Sequence, residues 1–171
     1  GEGGILVTSD DYFYEKVLTL SNHGRDKKQT KQFWADVIGF KYKMSNVQAA
    51  IGCAQLSRID DLIKRKREIF YYYRDSLSKY KTISMNIEED GNQNGFWMPT
   101  IVFEKDAGIT TDDLKNKFIL NNIDARIFFW PLSMLPMFKE KSENMNSYSI
   151  YKRAINLPSF NDIQKEEKDR I

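Results

Sequence analysis

Between Ser45 and Tyr80 the chain has no proline, and Leu56, Ile59, Ile63, Phe70, Tyr73 and Leu77 recur at intervals of three, four or seven residues. That is the spacing of one helical face. Ser45 and Gln48 open the stretch as a capping box, the hydroxyl accepting from the backbone three residues on and the amide reaching back. At 1.5 Å per residue an unbroken helix to Tyr80 would run about 50 Å, well beyond the roughly 30 Å width of a small domain. A kink or break is therefore expected, and a helix of this kind is expected to bridge two lobes.

The flanks differ in pattern. Ile5-Leu6-Val7-Thr8 is a short apolar, partly β-branched run after glycines and reads as a buried strand. Asp10 or Asp11 can cap a helix that carries Phe13, Val17 and Leu20 on one face. From Ser21 to Lys43 there is little periodicity, and a loop of that length is usually functional or disordered. The stretch from Thr82 to Asn94 is polar and rich in turn residues. Phe96–Phe103 and Asp124–Phe129 read as strands. Thr110 or Thr111 caps a helix with Leu114 and Phe118, and Met145–Ala154 reads as a helix with Tyr148, Tyr151 and Ala154 inward. Leu157-Pro158-Ser159 forms a turn, and Asn161 or Asp162 caps a last helix. Strands interleaved with helices after residue 81 predict a small α/β lobe. The expected organisation is residues 1–44 as the end of a larger domain, 45–80 as the bridging helix and 81–171 as the small domain.

Composition bounds the class. With 41% hydrophobic and 29% charged residues, a globular protein is expected. A net charge of +2 does not by itself imply a nucleic-acid or membrane partner, and no stretch is apolar enough to span a bilayer. The single cysteine, Cys53, excludes an internal disulfide, and a reducing cytoplasm is the simplest location. The chain starts at Gly1 without Met, runs directly into an apolar segment, and stops at Ile171 inside a helical pattern. Both ends read as those of a fragment.

Several motifs carry two readings each. Gly1-Glu2-Gly3-Gly4 is either a backbone approach to a phosphate or a plain turn. His23, the sole histidine, is either a general base or a polar loop residue, and with one Cys and one His no ordinary metal site is expected. Lys64-Arg65-Lys66-Arg67 resembles a nucleic-acid signal, but four consecutive helical residues point in four directions, so a solvated face is the simpler account. No serine–histidine–acid set and no dinucleotide fingerprint is present. Residue chemistry alone names no reaction.

Four blocks, in order, resemble a known family. They are Gly1-Glu2-Gly3-Gly4 with its following segment, Asn22-His23-Gly24, the run from Ile38 through Gly52 with Ala54-Gln55-Leu56, and Asp124-Ala125-Arg126 through Pro131-Leu132 closing with Leu157-Pro158-Ser159. Across essentially the whole chain they are similar to the DegT/DnrJ/EryC1/StrS sugar aminotransferases, and the third block is the specific one.

The resemblance implies an α/β fold: the C-terminal part of the aspartate-aminotransferase fold, a long bridging helix plus a small α/β domain. It implies a homodimer, pyridoxal 5'-phosphate as cofactor, and transfer of an amino group from glutamate to a nucleotide-linked keto sugar. The lysine that holds the cofactor as a Schiff base is placed ahead of the Gly-Glu-Gly-Gly turn, before Gly1, so no catalytic residue is expected in this chain. Lys41 stands where the family often has Asn reaching the cofactor phosphate of the other subunit, and a lysine keeps a donor and adds charge. Lys43 stands where Arg is frequent, which exchanges a fork for a point charge. Arg126 is carried over to the substrate side or, alternatively, to a structural ion pair. Ser133 stands where many members have His, and with His23 it completes the expected substrate-side set. Phe128, Phe129 and Trp130 are core residues or neighbours of the substrate. Two rivals remain at this point: a dehydratase of the same family, in which histidine replaces the lysine, and a non-catalytic interaction or dimerisation module.

Overall fold

The computed structural model describes residues 3–171, so half of the Gly1-Glu2-Gly3-Gly4 motif lies outside the described residues. The chain divides into two compact units, Gly1–Ile59 and Asp60–Ile171.

In the first unit, α1 (Asp11–Ser21) begins where Asp10 Oδ1 accepts from the backbone N–H groups of Tyr12 and Phe13, at 2.9 and 3.2 Å. The predicted strand Ile5–Thr8 does not form. Ile5 and Val7 are 91% and 90% exposed, and among the described residues no strand pairs with this segment. The segment from Asn22 to Lys43 is not a free loop. It folds back along the end of α1 through a ladder of backbone bonds described below. α2 (Asn46–Leu56) opens on the Ser45–Gln48 capping box. It ends at Ser57, whose hydroxyl donates to the Ala54 carbonyl at 3.0 Å, an internal bond that competes with the helical ladder. α3 (Ile59–Leu77) follows after this turn, so the expected break falls at Ser57–Arg58.

The second unit is a four-stranded antiparallel sheet with helical cover. Its strands are β1 (Ile83–Met85), β2 (Thr100–Phe103), β3 (Arg126–Ile127) and β4 (Ala154–Asn156), in the order β1-β2-β4-β3. The central pair aligns Thr100 with Asn156 and Ile101 with Ile155. Ile69 and Tyr73 of α3 pack with Ile101, Phe103, Ile155, Leu157 and Ile163 to make the core, and Leu114 and Phe118 of α4 (Thr111–Leu120) pack against it. Of the helical face read from the sequence, Phe70 and Tyr73 are buried, whereas Leu56 is 68% exposed. Phe70 stacks on Phe96 with ring centroids 3.7 Å apart, although Phe96 holds a left-handed φ of 46°.

Several sequence readings are corrected here. Strand structure is limited to Thr100–Phe103 and Arg126–Ile127 within the longer predicted runs. The turn-rich stretch after Thr82 contains β1. α5 spans only Met145–Ile150, and Ala154 belongs to β4, where pairing with Val102 of β2 outweighs alanine's preference for helix. α6 (Lys165–Arg170) is capped by Gln164 with Glu167, not by Asn161 or Asp162. Three members of the basic tetrad are not simply solvated. Arg65 donates to the carbonyls of Asn161 and Ile163 at 2.9 and 2.7 Å, Lys66 donates to that of Ser159, and Arg67 donates to that of Asn94 at 2.5 Å. Arg65, Lys66 and Arg67 thus give these chain carbonyls hydrogen-bond donors from α3.

Candidate functional site

The first candidate site is built by the chain reversal in the first unit. Asn22 and Lys41 form an antiparallel bridge. Around it, Phe40 N–H donates to Leu20 at 2.6 Å, His23 N–H to Phe40 at 2.9 Å, Tyr42 N–H to Ser21 at 3.0 Å and Gly24 N–H to Thr19 at 3.0 Å. Two glycines allow the approach. Gly24 has φ 72°, and a Cβ there would lie 1.8 Å from the Val37 carbonyl oxygen. A Cβ on Gly39 would lie 2.0 Å from the Gly24 nitrogen. The Asn22-His23-Gly24 motif and the glycine of Ile38-Gly39-Phe40 are thus two halves of one backbone crossing.

This crossing runs the backbone of Asn22 and His23 beside that of Phe40 and Lys41, and ties Lys43 to Ser21. The rings of Phe40 and Tyr42 stack at 5.2 Å and 8°, as alternate residues of an extended segment do, which puts Lys41 on the other side. Both lysines are exposed, and among the described residues no carboxylate lies within ion-pair distance of either. Two cations two residues apart on an ordered backbone suit a phosphate, which needs N–H donors and positive charge. His23 is exposed with φ 62°, held by its backbone bond to Phe40.

The second candidate site lies wholly in the second unit. Arg126 on edge strand β3 is paired with Asn156 in register and lines a cavity of about 380 Å³. Leu157, Pro158 and Ile163 give it apolar walls, and Arg126 and Arg170 bring cations. Arg126 Nη2 bonds Asp124 at 3.0 Å, with both side chains more than three-quarters exposed, so the pair leaves most of the guanidinium open. Asn156, which sequence reasoning did not single out, is 2% exposed. Its Oδ1 accepts from the Thr100 hydroxyl at 2.8 Å, and its Nδ2 donates to the Ile127 carbonyl at 3.2 Å, fixing the strand that carries Arg126. No sequence signal marked it, because β4 itself was hidden.

Ser133 sits in a short 3₁₀ turn, Leu132–Met134, and does not line that cavity. Its hydroxyl is 2.7 Å from the Tyr148 hydroxyl and accepts from Asn144 Nδ2 at 3.2 Å, and Tyr148 in turn accepts from the Lys141 N–H at 3.0 Å. Those bonds tie the 131–148 segment together. Phe129 and Trp130 are 59% and 53% exposed, so neither is a core residue of the described unit. Among the described residues no cluster of His, Cys, Asp and Glu could hold a metal ion, and no helix is long and apolar enough to cross a membrane.

The electrostatics of the second unit centre on Arg67. It donates to Glu88 at 2.6 and 2.9 Å and to the Tyr71 hydroxyl at 2.5 Å, above the ring of Phe96. The Arg67 guanidinium, followed by the Asn94 N–H, holds the Glu88 carboxyl down at about 2. Burial lowers the Lys66 ammonium and raises the Tyr73 phenol.

Comparison with known proteins gives the family and the fold. The chain is 36% identical over 165 residues to GDP-perosamine synthase of Vibrio cholerae, covering 94% of this chain and 44% of that protein. It is 34% identical over 168 residues to GDP-perosamine synthase of Escherichia coli O157:H7, covering 98% of this chain and 44% of that protein. The chain therefore spans less than half the length of these curated relatives, and it matches their C-terminal portions. Among solved structures, the aminotransferase TlmJ from Streptoalloteichus hindustanus superposes with a TM-score of 0.81 at 16% identity, covering 95% of this chain and 43% of that one. That likeness shows the fold, the C-terminal part of the aspartate-aminotransferase architecture. Residues 1–171 match the DegT/DnrJ/EryC1/StrS aminotransferase family throughout, and the chain belongs to it.

Proposed function

We propose that this chain serves a pyridoxal phosphate-dependent enzyme that moves an amino group from glutamate to a nucleotide-linked keto sugar. The observation that carries the proposal is the family match over residues 1–171, sharpened by 36% identity to a GDP-perosamine synthase. In this reading residues 1–44 close the large cofactor domain, 45–80 carry the connecting helix, broken at Ser57–Arg58, and 81–171 form the small domain. The enzyme works as a homodimer in the cytoplasm.

Pyridoxal phosphate, when bound, supplies an electron sink for proton removal at the amine-bearing carbon. The residues of this chain bind and orient. Lys41 and Lys43 hold the cofactor phosphate with charge-assisted donors. His23, close to Lys41 through the backbone ladder, faces the same polar region. Arg126 attracts the anionic substrate from the small-domain side, and Ser133 belongs to the substrate-side set through the 131–148 segment that its bonds tie together.

The test uses the full-length protein with pyridoxal phosphate, glutamate and a GDP-linked keto hexose. Formation of 2-oxoglutarate in step with an amino sugar is expected. Loss of water from the sugar without 2-oxoglutarate would overturn the reading in favour of a dehydratase. A polypeptide of residues 1–171 alone is expected to give neither product nor a borohydride-stable pyridoxyl adduct, because the family's lysine is placed ahead of the Gly-Glu-Gly-Gly turn.

A further inference from the structure

Lys66 puts an ammonium where a core side chain is expected. It precedes Ile69 and Phe70 by one turn of α3 and Tyr73 by two, on the face that those three residues bury. Taking a charge out of water costs free energy unless a partner offsets it. Lys66 is half-buried, and among the described residues no carboxylate lies within ion-pair distance of it. Its hydrogen bonds go to Ser159 alone, to the carbonyl and, at 3.5 Å, to the hydroxyl.

Ser159 lies in a segment, 157–163, that is neither helix nor strand. Even so, every carbonyl from Pro158 to Ile163 is occupied. Tyr73 donates to Pro158 at 2.9 Å, Lys66 to Ser159, and Arg65 to Asn161 and Ile163 at 2.9 and 2.7 Å. The Ile163 N–H donates to Phe160 at 3.2 Å, and Gln164 Nε2 to Asp162 at 2.6 Å. Side chains of α3 thus hold four of the six. The Leu157 N–H donates to Pro99 at 2.8 Å and the Ser159 hydroxyl to Trp97 at 3.0 Å, which ties the segment to the approach to β2. A segment without its own ladder stands where these donors put it.

The same segment walls the second candidate site. Leu157, Pro158, Ser159, Phe160 and Ile163 line the cavity that Arg126 also lines, and Asn156, just before them, is the register partner of Arg126. Tyr73 also serves the core, and Arg65 also pairs with Glu68. Lys66 has no polar partner but the cavity wall.

We propose that Lys66 is a positioning residue for the sugar nucleotide: it fixes Ser159, and with it the 157–163 wall, where Arg126 meets the substrate. The proposal rests on the functional reading above, in which Arg126 faces that substrate. A wall ordered in advance spares the ligand the cost of ordering it, so Lys66 acts on substrate affinity and leaves the cofactor's reaction with glutamate untouched.

The experiment is kinetics of the full-length protein, unmodified and as Lys66→Met, Lys66→Arg, Arg126→Met and the double variant of Lys66→Met with Arg126→Met. Lys66→Met is expected to raise KM for the GDP-linked keto hexose about tenfold, with kcat and the rate of cofactor conversion by glutamate alone unchanged. Lys66→Arg keeps the charge and the donors, and is expected to recover most of the affinity. Once Arg126→Met is present, Lys66→Met is expected to add little, because both act through one cavity. Hydrogen exchange of the Ile163 amide should quicken in Lys66→Met while the Ile101 and Ile155 amides stay as they are. An unchanged KM overturns the proposal. So does an equal loss in the glutamate half-reaction, the mark of a general structural role, or full additivity with Arg126→Met. Absence of the glutamate half-reaction in the unmodified enzyme overturns the functional reading itself, and the proposal with it.

Discussion

Glu88 shows how one side chain can govern a response to acid. Its carboxylate and Arg67 are each 23% exposed, and the guanidinium holds Glu88 near 2 against an ordinary 4.5. A group whose folded value is depressed stabilises the fold above its unfolded value, and that contribution is lost as pH falls through the folded one. The Glu88 contribution is therefore complete above about pH 4.5 and disappears on the way to about pH 2. Glu88→Gln is expected to lower the urea midpoint at pH 7 and to flatten its decline between pH 4.5 and 2. An unchanged pH profile would mean that the pair is idle. The sequence offered no hint of this residue, since Arg67 sat in a basic tetrad that reads as solvated. Only the fold brings it to Glu88, twenty-one positions away.

At the scale of elements, what the sequence revealed depended on whether a signal was local. Helix caps are local. Ser45 was legible outright, and Asp10 and Thr110 were each one of two adjacent candidates; each caps its helix, whereas the cap of the last helix was missed. Strands here are only two to four residues long, too short for alternation to declare itself, and β4 is stabilised by neighbours distant in sequence. The Asn22–Lys43 ladder is the most instructive case. Its residues show no periodicity, yet Gly24 and Gly39 were both visible within the motifs that suggested the family. Their partnership was not visible, because it is a contact between segments fifteen residues apart. Gly24→Ala or Gly39→Ala would drive a methyl to within 2.0 Å of backbone, and at Gly24 would add a left-handed penalty of about 1–2 kcal/mol. Hydrogen exchange is the measurement. Protection of the His23 and Phe40 amides should collapse in either variant while the Ile101 and Ile155 amides of the second unit keep theirs. Persistent protection at His23 would contradict the crossing as described.

For the whole molecule, the candidate site was legible in part. Lys41, Lys43 and His23 were chosen by resemblance, and what the structure shows is the backbone pairing of the two segments that carry them. Arg126 was chosen likewise and gains a cavity and the Asn156 anchor, while Ser133 turns out to be bonded into its own segment. In the proposed function the backbone crossing presents Lys41 to a cofactor phosphate. The most direct test of that claim compares equilibrium binding of pyridoxal phosphate with that of pyridoxal, which lacks the phosphate, in the full-length protein and its Lys41→Ala and Lys41→Asn variants. A charge-assisted hydrogen bond is worth about 1.5–3 kcal/mol, so Lys41→Ala should weaken pyridoxal phosphate roughly 10- to 100-fold, leave pyridoxal unchanged, and be largely rescued by Lys41→Asn. Equal effects on the two ligands, or none on either, would contradict it.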